Sequence, residues 1–294
     1  MSAITSFSGR PNLAQLLETT TDLPVVSSTV LAVISETEAE ESTAQSVGRL
    51  LQQDPALTAR VLRLANSSFY SLRKQVFDVN EAVVILGMRT VRRLAVVAST
   101  YPWLCRDLKV FDLASPGLWE FSYATATFAQ TIADRSRKAS PDAAFTCGLL
   151  ADIGKIAMSI WFDGSADLVG ALRGDKSLAI DHEFELFGFH HAEVGYQLTK
   201  MWGLPNELCE AIRYSHTPSE ATSQNPLLDC LHCADYLTRC MGIGLGSEGL
   251  RIEFDGDAWS RLGLTDDDFD GILSDWIDQF QARQTLFTDQ AQAA

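Results

Sequence analysis

The chain has 294 residues, of which 46% are hydrophobic and 21% charged, enough apolar residues to build and bury a sizeable core. That composition excludes a disordered protein outside the two ends. A formal net charge of −15, with pI near 4.7, excludes a long single-sign attraction to nucleic acid or to an anionic membrane.

In chain order, residues 1–11 are polar and lack both an apolar h-region and a small-residue cleavage pattern, so no targeting segment is expected. Leu23-Pro24 opens a run that places Val26, Val30, Val33 and Ile34 on one helical face. Ser42 is positioned to cap the next helix, with Val47, Leu50 and Leu51. Asp54-Pro55 supplies a cap followed by proline at the first helical position. That helix runs through Leu57, Val61, Leu62 and Leu64 to Asn66-Ser67-Ser68, small polar residues suited to ending it. Asn80 starts a short helix that stops at Gly87, where glycine can take a left-handed conformation. Val91, Leu94, Ala95 and Ala98 mark the helix after it.

A boundary is expected at 105–115, before Ser115-Pro116. Helices follow at 119–137, from Ser140-Pro141 to near Trp161, and at 178–187, 190–202, 206–215 and 226–241. The apolar stretch 145–162 is interrupted by Asp152 and Lys155, so it is not expected to span a membrane. Residues 243–256 are glycine-rich and irregular, an acidic helix occupies 266–281, and 290–294 form a frayed tail. The fold expected is all-α in two helical lobes, an N-terminal bundle over 13–110 and a second helical domain over 115–285. Trp103, Trp119, Trp161 and Trp202 are the expected large core anchors. The six cysteines sit in apolar, helix-periodic surroundings and are expected to be reduced core residues of a cytoplasmic protein. Cys230 and Cys233 lie within one helical pattern, which argues against a zinc knuckle.

Gly148-Leu149-Leu150-Ala151-Asp152-Ile153-Gly154-Lys155 resembles the segment GLLHDIGK of the HD superfamily of metal-dependent phosphohydrolases. Phe187-Gly188-Phe189-His190-His191-Ala192-Glu193-Val194-Gly195, Ile212-Arg213-Tyr214-Ser215-His216 and Cys233-Ala234-Asp235 resemble later segments of its cyclic-dinucleotide-cleaving branch, in the same order. The resemblance implies imidazole and carboxylate ligands, drawn from several helices, that hold metals which activate water. Two ligand positions do not survive. Phe121 aligns with the first histidine, and Ala151 replaces the histidine of the His-Asp pair. Neither side chain can donate to a metal. Asp152, His191, His216 and Asp235 remain, with Lys155 expected to pair with a nearby carboxylate. The pocket is expected to be vestigial and to need no cofactor, although Asp152, His191 and His216 leave a mononuclear divalent-metal site open.

The N-terminal half narrows the resemblance. Asp54-Pro55-Ala56-Leu57-Thr58-Ala59-Arg60-Val61-Leu62-Arg63-Leu64-Ala65-Asn66-Ser67-Ser68-Phe69-Tyr70 and Glu81-Ala82-Val83-Val84-Ile85-Leu86-Gly87 are similar to the opening of HDOD domains, the HD-related output domains. The likeness covers roughly 13–240. It implies a bacterial, non-catalytic signal-transduction module in which an HD-like helical domain follows a helical N-terminal lobe. Such a module acts on signalling proteins by protein–protein interaction. Nucleotide sensing, or residual phosphohydrolase or cyclic-dinucleotide phosphodiesterase activity, are the alternatives.

Arg60, Arg63, Arg73, Lys74, Arg89, Arg92 and Arg93 make the first half locally basic. Arg89, Arg92 and Arg93, just after the Gly87 turn, are candidates for phosphate or partner contacts. The reading preferred for the basic residues is a solvated face paired to Asp54, Asp78 and Glu81, so nucleic acid is not an expected partner.

Overall fold

The computed structural model describes residues 12–20, 26–39, 41–67, 70–162, 179–246, 249–250 and 253–291. Regular structure among them is helical, apart from one bridge between Leu108 and Leu113. Leu23-Pro24, Ser68 and Phe69 lie outside the described residues.

Side-chain oxygens set the helix starts by accepting from backbone amides that have no partner within the helix. Asn12 and Gln15 box the start of α1 (Leu13–Thr19), and Ser27 caps α2 (Ser28–Glu38). The cap of α3 (Ala44–Gln52) is Thr43 rather than Ser42, because the Thr43 hydroxyl reaches the Ser46 amide. Ser42 instead meets Met88 Sδ at 3.5 Å. Asp54 caps α4 (Pro55–Ala65) with Pro55 at its first position. At α5 (Val79–Leu86) the cap is Asp78 rather than Asn80, since Asp78 Oδ1 accepts from the Asn80 amide at 3.0 Å. Gly87, at φ 83°, turns the chain into α6 (Met88–Leu104). Asn66 ends α4 by donating to Leu62 O. It also clasps the Val76 backbone, donating to its carbonyl and accepting from its amide, each at 2.7 Å.

Helices α2–α6 pack on one another around Val33, Val47, Leu51, Val61, Leu64 and Val91, all fully or almost fully buried. The short α1 does not join them. It lies against α9 (Ile153–Phe162) and α11 (His191–Met201).

In the second half α7 (Gly117–Ser136) is central. It contacts α8 (Pro141–Leu150), α13 (Pro226–Cys240) and α15 (Asp266–Ala291). Residues 178–187 contribute α10 (Ala179–Phe187), while Leu178 lies outside the described residues. α12 (Asn206–Arg213) packs on α11 and α13, and α14 (Gly256–Arg261) on α13. The single helix expected from Pro141 to Trp161 is broken at Ala151-Asp152, where the Lys155 amide bonds back three residues to the Asp152 carbonyl. This tightened turn aims Asp152 into the interior. The stretch Pro141–Phe162 is long and apolar enough to cross a membrane by composition, and 89% of its most apolar window is buried inside the protein.

Residues 266–281 belong to a longer helix, α15, which continues to Ala291 and so takes in the first two residues of the tail expected to fray, the rest of which lies outside the described residues. It docks through Ile272, Trp276 and Phe280. The Trp276 ring stacks on Phe128 at 4.0 Å, and its Nε1 donates to Thr127 Oγ1 at 2.8 Å. Of the expected anchors Trp119 is buried, whereas Trp103, Trp161 and Trp202 are partly buried around the core. All six cysteines are free, and Cys240 is exposed rather than in the core.

Two glycines let helices approach backbone to backbone. A β-carbon at Gly148 would lie 2.6 Å from Ala126 Cα, and one at Gly154 would collide with the His191 carbonyl. The second contact holds α9 against α11 and so brings Asp152 beside His191. Gly154→Ala is expected to lower stability by about 1–3 kcal/mol through overpacking, read as a reduced urea midpoint.

Candidate functional site

Five helices deliver the site. His191 is the first residue of α11, and Glu183 of α10 serves it twice. The carboxylate accepts from the His191 amide at 2.6 Å and from ring Nδ1 at 2.8 Å. Asp152, in the turn between α8 and α9, approaches His191 Nε2 at 3.3 Å through Oδ1. Its Oδ2 accepts from Lys155 Nζ at 2.9 Å. His216, in the turn after α12, places Nε2 2.9 Å from His191 Nε2, and its Nδ1 lies 3.8 Å from Asp235 Oδ2. Asp235, on α13, accepts from Arg239 Nε at 2.9 Å one helical turn on. Phe121 of α7 lies beneath both cations, its ring centroid 5.0 Å from the Arg239 guanidinium and 5.7 Å from the Lys155 ammonium. Ala151 precedes Asp152 in the same turn and offers a buried methyl.

The network is almost dry. Asp152, Lys155, Glu183, His191, Asp235 and Arg239 are each at most 3% exposed, so every charge here requires a partner. Burial, the largest influence, works against a charged His191, and the Glu183 carboxylate opposes it. With the hydrogen bonds to Asp152 and Glu183, this raises His191 from 6.5 to about 10. Burial and the positive His191 together push His216 well below its ordinary value. Asp152 would be raised by burial, yet Lys155 and His191 hold it well below the usual carboxylate range. At neutral pH the arrangement is an imidazolium at His191, donating from Nδ1 to Glu183 and from Nε2 to a neutral His216.

The seven residues singled out in the sequence, Phe121, Ala151, Asp152, Lys155, His191, His216 and Asp235, therefore meet in one place. Asp152, His191 and His216 bring three donor atoms within 4.8 Å of one another. They are fewer donors than in the metal centre that the HD resemblance implies. Positions 121 and 151 carry no donor. Both carboxylates are bound by cations of the chain itself, which also oppose a second positive charge.

Two members of the cluster went unnoticed in the sequence. Arg239 was legible only as an Asp–Arg spacing of four residues, and Glu183 had no local signal, since its role depends on how α10 meets α11. Arg89, Arg92 and Arg93 stand apart on α6. Arg92 is buried and paired to Glu38 at 2.9 Å, so it offers no phosphate contact, while Arg93 and Arg89 share Asp142 at 2.8 and 3.6 Å. For these three, Glu38 and Asp142 take the place of the expected Asp54, Asp78 and Glu81, because α6 packs on α2 and α8.

The helical fold and the histidine–aspartate cluster define a protein of the HD superfamily class. Within it, the chain belongs to the HDOD domain family, which matches residues 23–218. It is similar to an HDOD domain protein of unknown function from Geobacter sulfurreducens, at 25% identity and TM-score 0.74 over 93% of this chain and 95% of that one. A candidate phosphohydrolase from Shewanella amazonensis SB2B shares 26% identity, with TM-score 0.58 over 84% and 93% of the two chains. An uncharacterized protein of Treponema pallidum (strain Nichols) is 26% identical over 235 residues, 77% of this chain. The chain spans 44% of the length of that relative.

Proposed function

We propose that this chain is a non-catalytic signal-transduction module that acts through protein–protein contacts, and that its HD-type site is a structural core rather than a metal centre. One observation carries the reading. Lys155 and Arg239 occupy the two carboxylates that a metal would need, and both rest on Phe121, which stands where the first ligand would be. A cation–π contact of this kind stabilises a desolvated positive charge, so the three residues supply within the chain the charge balance that a metal ion otherwise provides.

Elemental analysis after dialysis against manganese and then iron tests the reading. The expected content is well under one ion per chain, with no turnover of phosphodiesters. About one tightly held ion per chain, with turnover abolished by Asp152→Ala, overturns it.

A further inference from the structure

A cavity of about 390 Å³ opens between α13, α14 and the start of α15. It lies beyond residue 218, where the family match ends, and shares no residue with the cluster described above. Its walls are aromatic: Tyr236, Phe254, Trp259 and Phe269. Tyr236 and Phe254 meet at 4.4 Å between ring centroids, and Trp259 meets Phe269 edge-on at 6.1 Å. Phe254 and Phe269 remain 37% and 39% exposed, so both rings are open to a ligand.

The walls are braced from behind. His232 stacks on Phe254 at 5.7 Å, and its Nε2 accepts from the Asp255 amide at 2.9 Å. Arg261 grips Asp229 through two nitrogens, at 2.7 and 3.0 Å, and reaches Asp255 at 3.2 Å, so α14 is pinned to α13.

The polar groups facing this cavity on α15 are Asp266 and Asp270. With Phe269 they occupy positions i, i+3 and i+4 of one helical face. Like charges one turn apart destabilise a helix unless a cation lies between them. Neither Asp266 nor Asp270 takes part in the helix cap, where Thr265 Oγ1 accepts from the Asp268 amide at 3.4 Å and Asp268 Oδ2 accepts from the Thr265 amide at 2.9 Å. Among the described residues, no cation pairs with either carboxylate.

We propose that this pocket binds a small organic ammonium ion, its alkyl groups against the four rings and its charge facing Asp266 and Asp270. Ring faces carry partial negative charge and attract alkylated cations that water holds only loosely, while the apolar walls accept the alkyl groups. A volume of 390 Å³ suits a metabolite-sized ligand.

Titration calorimetry on the full chain with choline chloride, and separately with its neutral isostere 3,3-dimethyl-1-butanol, tests the proposal without any substitution. Saturable binding of choline is expected, at least about tenfold tighter than the alcohol. The double variant D266N/D270N changes only exposed groups. It is expected to weaken choline by about tenfold while leaving the alcohol unchanged. F254L keeps the charges, removes a ring, and is expected to weaken choline in the same direction. Absence of saturable choline binding, or equal affinity for the alcohol, overturns the proposal.

Discussion

Replacing Arg239 by methionine is expected to destabilise the fold by about 3–5 kcal/mol, the range for removing one partner of a buried ion pair. Arg239 and Asp235 are 2% and 3% exposed at their side chains, so the variant strands a carboxylate that water cannot reach. The guanidinium also leaves the face of Phe121. Stability measured by urea titration separates this account from simple loss of packing. The double variant D235N/R239M removes both charges and is expected to recover most of the loss, because a neutral, similarly shaped pair has no ion to solvate. A single-variant loss under about 1 kcal/mol would falsify the view that this pair stands in for a metal. Lys155→Met leaves Asp152 with the His191 imidazolium at 3.3 Å and is expected to lower stability in the same direction.

Stability is also expected to fall as pH rises from 6.5 toward 10, by an amount on the order of 3 kcal/mol. In the folded chain His191 titrates near 10 rather than 6.5 because Glu183 and Asp152 surround it. A raised folded value means that the native state binds the extra proton. Its stabilisation is complete below 6.5 and is lost as pH passes through that window. Burial raises the thiols of Cys147, Cys230 and Cys233, which gives the same sign above the ordinary thiol range, so the interval between about 6.5 and 8.5 isolates the imidazole. Below 6.5 the slope reverses. His216 and His190 are held below their ordinary values, so the unfolded chain takes up protons first and stability drops with falling pH. Unfolding midpoints at half-unit steps from pH 5.5 to 8.5 trace both limbs. Glu183→Gln is expected to flatten the alkaline limb, and a wild-type profile without that limb would show that His191 carries no proton.

The two predictions share an origin that was only half legible in the sequence. That Phe121 and Ala151 bring no metal donor could be read directly, because a phenyl ring and a methyl group cannot bind a metal wherever the chain puts them. The helical class was also legible. The spacing of Val47 and Leu51, or of Leu57, Val61 and Leu64, carries the helical period whatever the helix packs against. Cap positions were legible to within two residues, and the displacements at Thr43 and Asp78 have one cause. Serine, threonine, asparagine and aspartate neighbours can all cap, and backbone geometry chooses among them.

The partners of the charged residues were not legible. Arg92 looked like a surface phosphate contact and is buried against Glu38. Lys155 pairs with a nearby carboxylate as expected, that of Asp152, but its sharing of the Phe121 ring with Arg239 had no local signal. Glu183, absent from every motif, sets the protonation of His191. Local spacing determines which face of a helix is apolar and which residues carry donors, so sequence alone determined the helices, the core face and the missing ligands. Which charges meet depends on how helices cross, and that is decided by contacts such as Gly154 against the His191 carbonyl, between residues far apart in the chain. Only the tertiary structure could therefore decide that two cations of the chain bind the carboxylates left behind by the missing ligands.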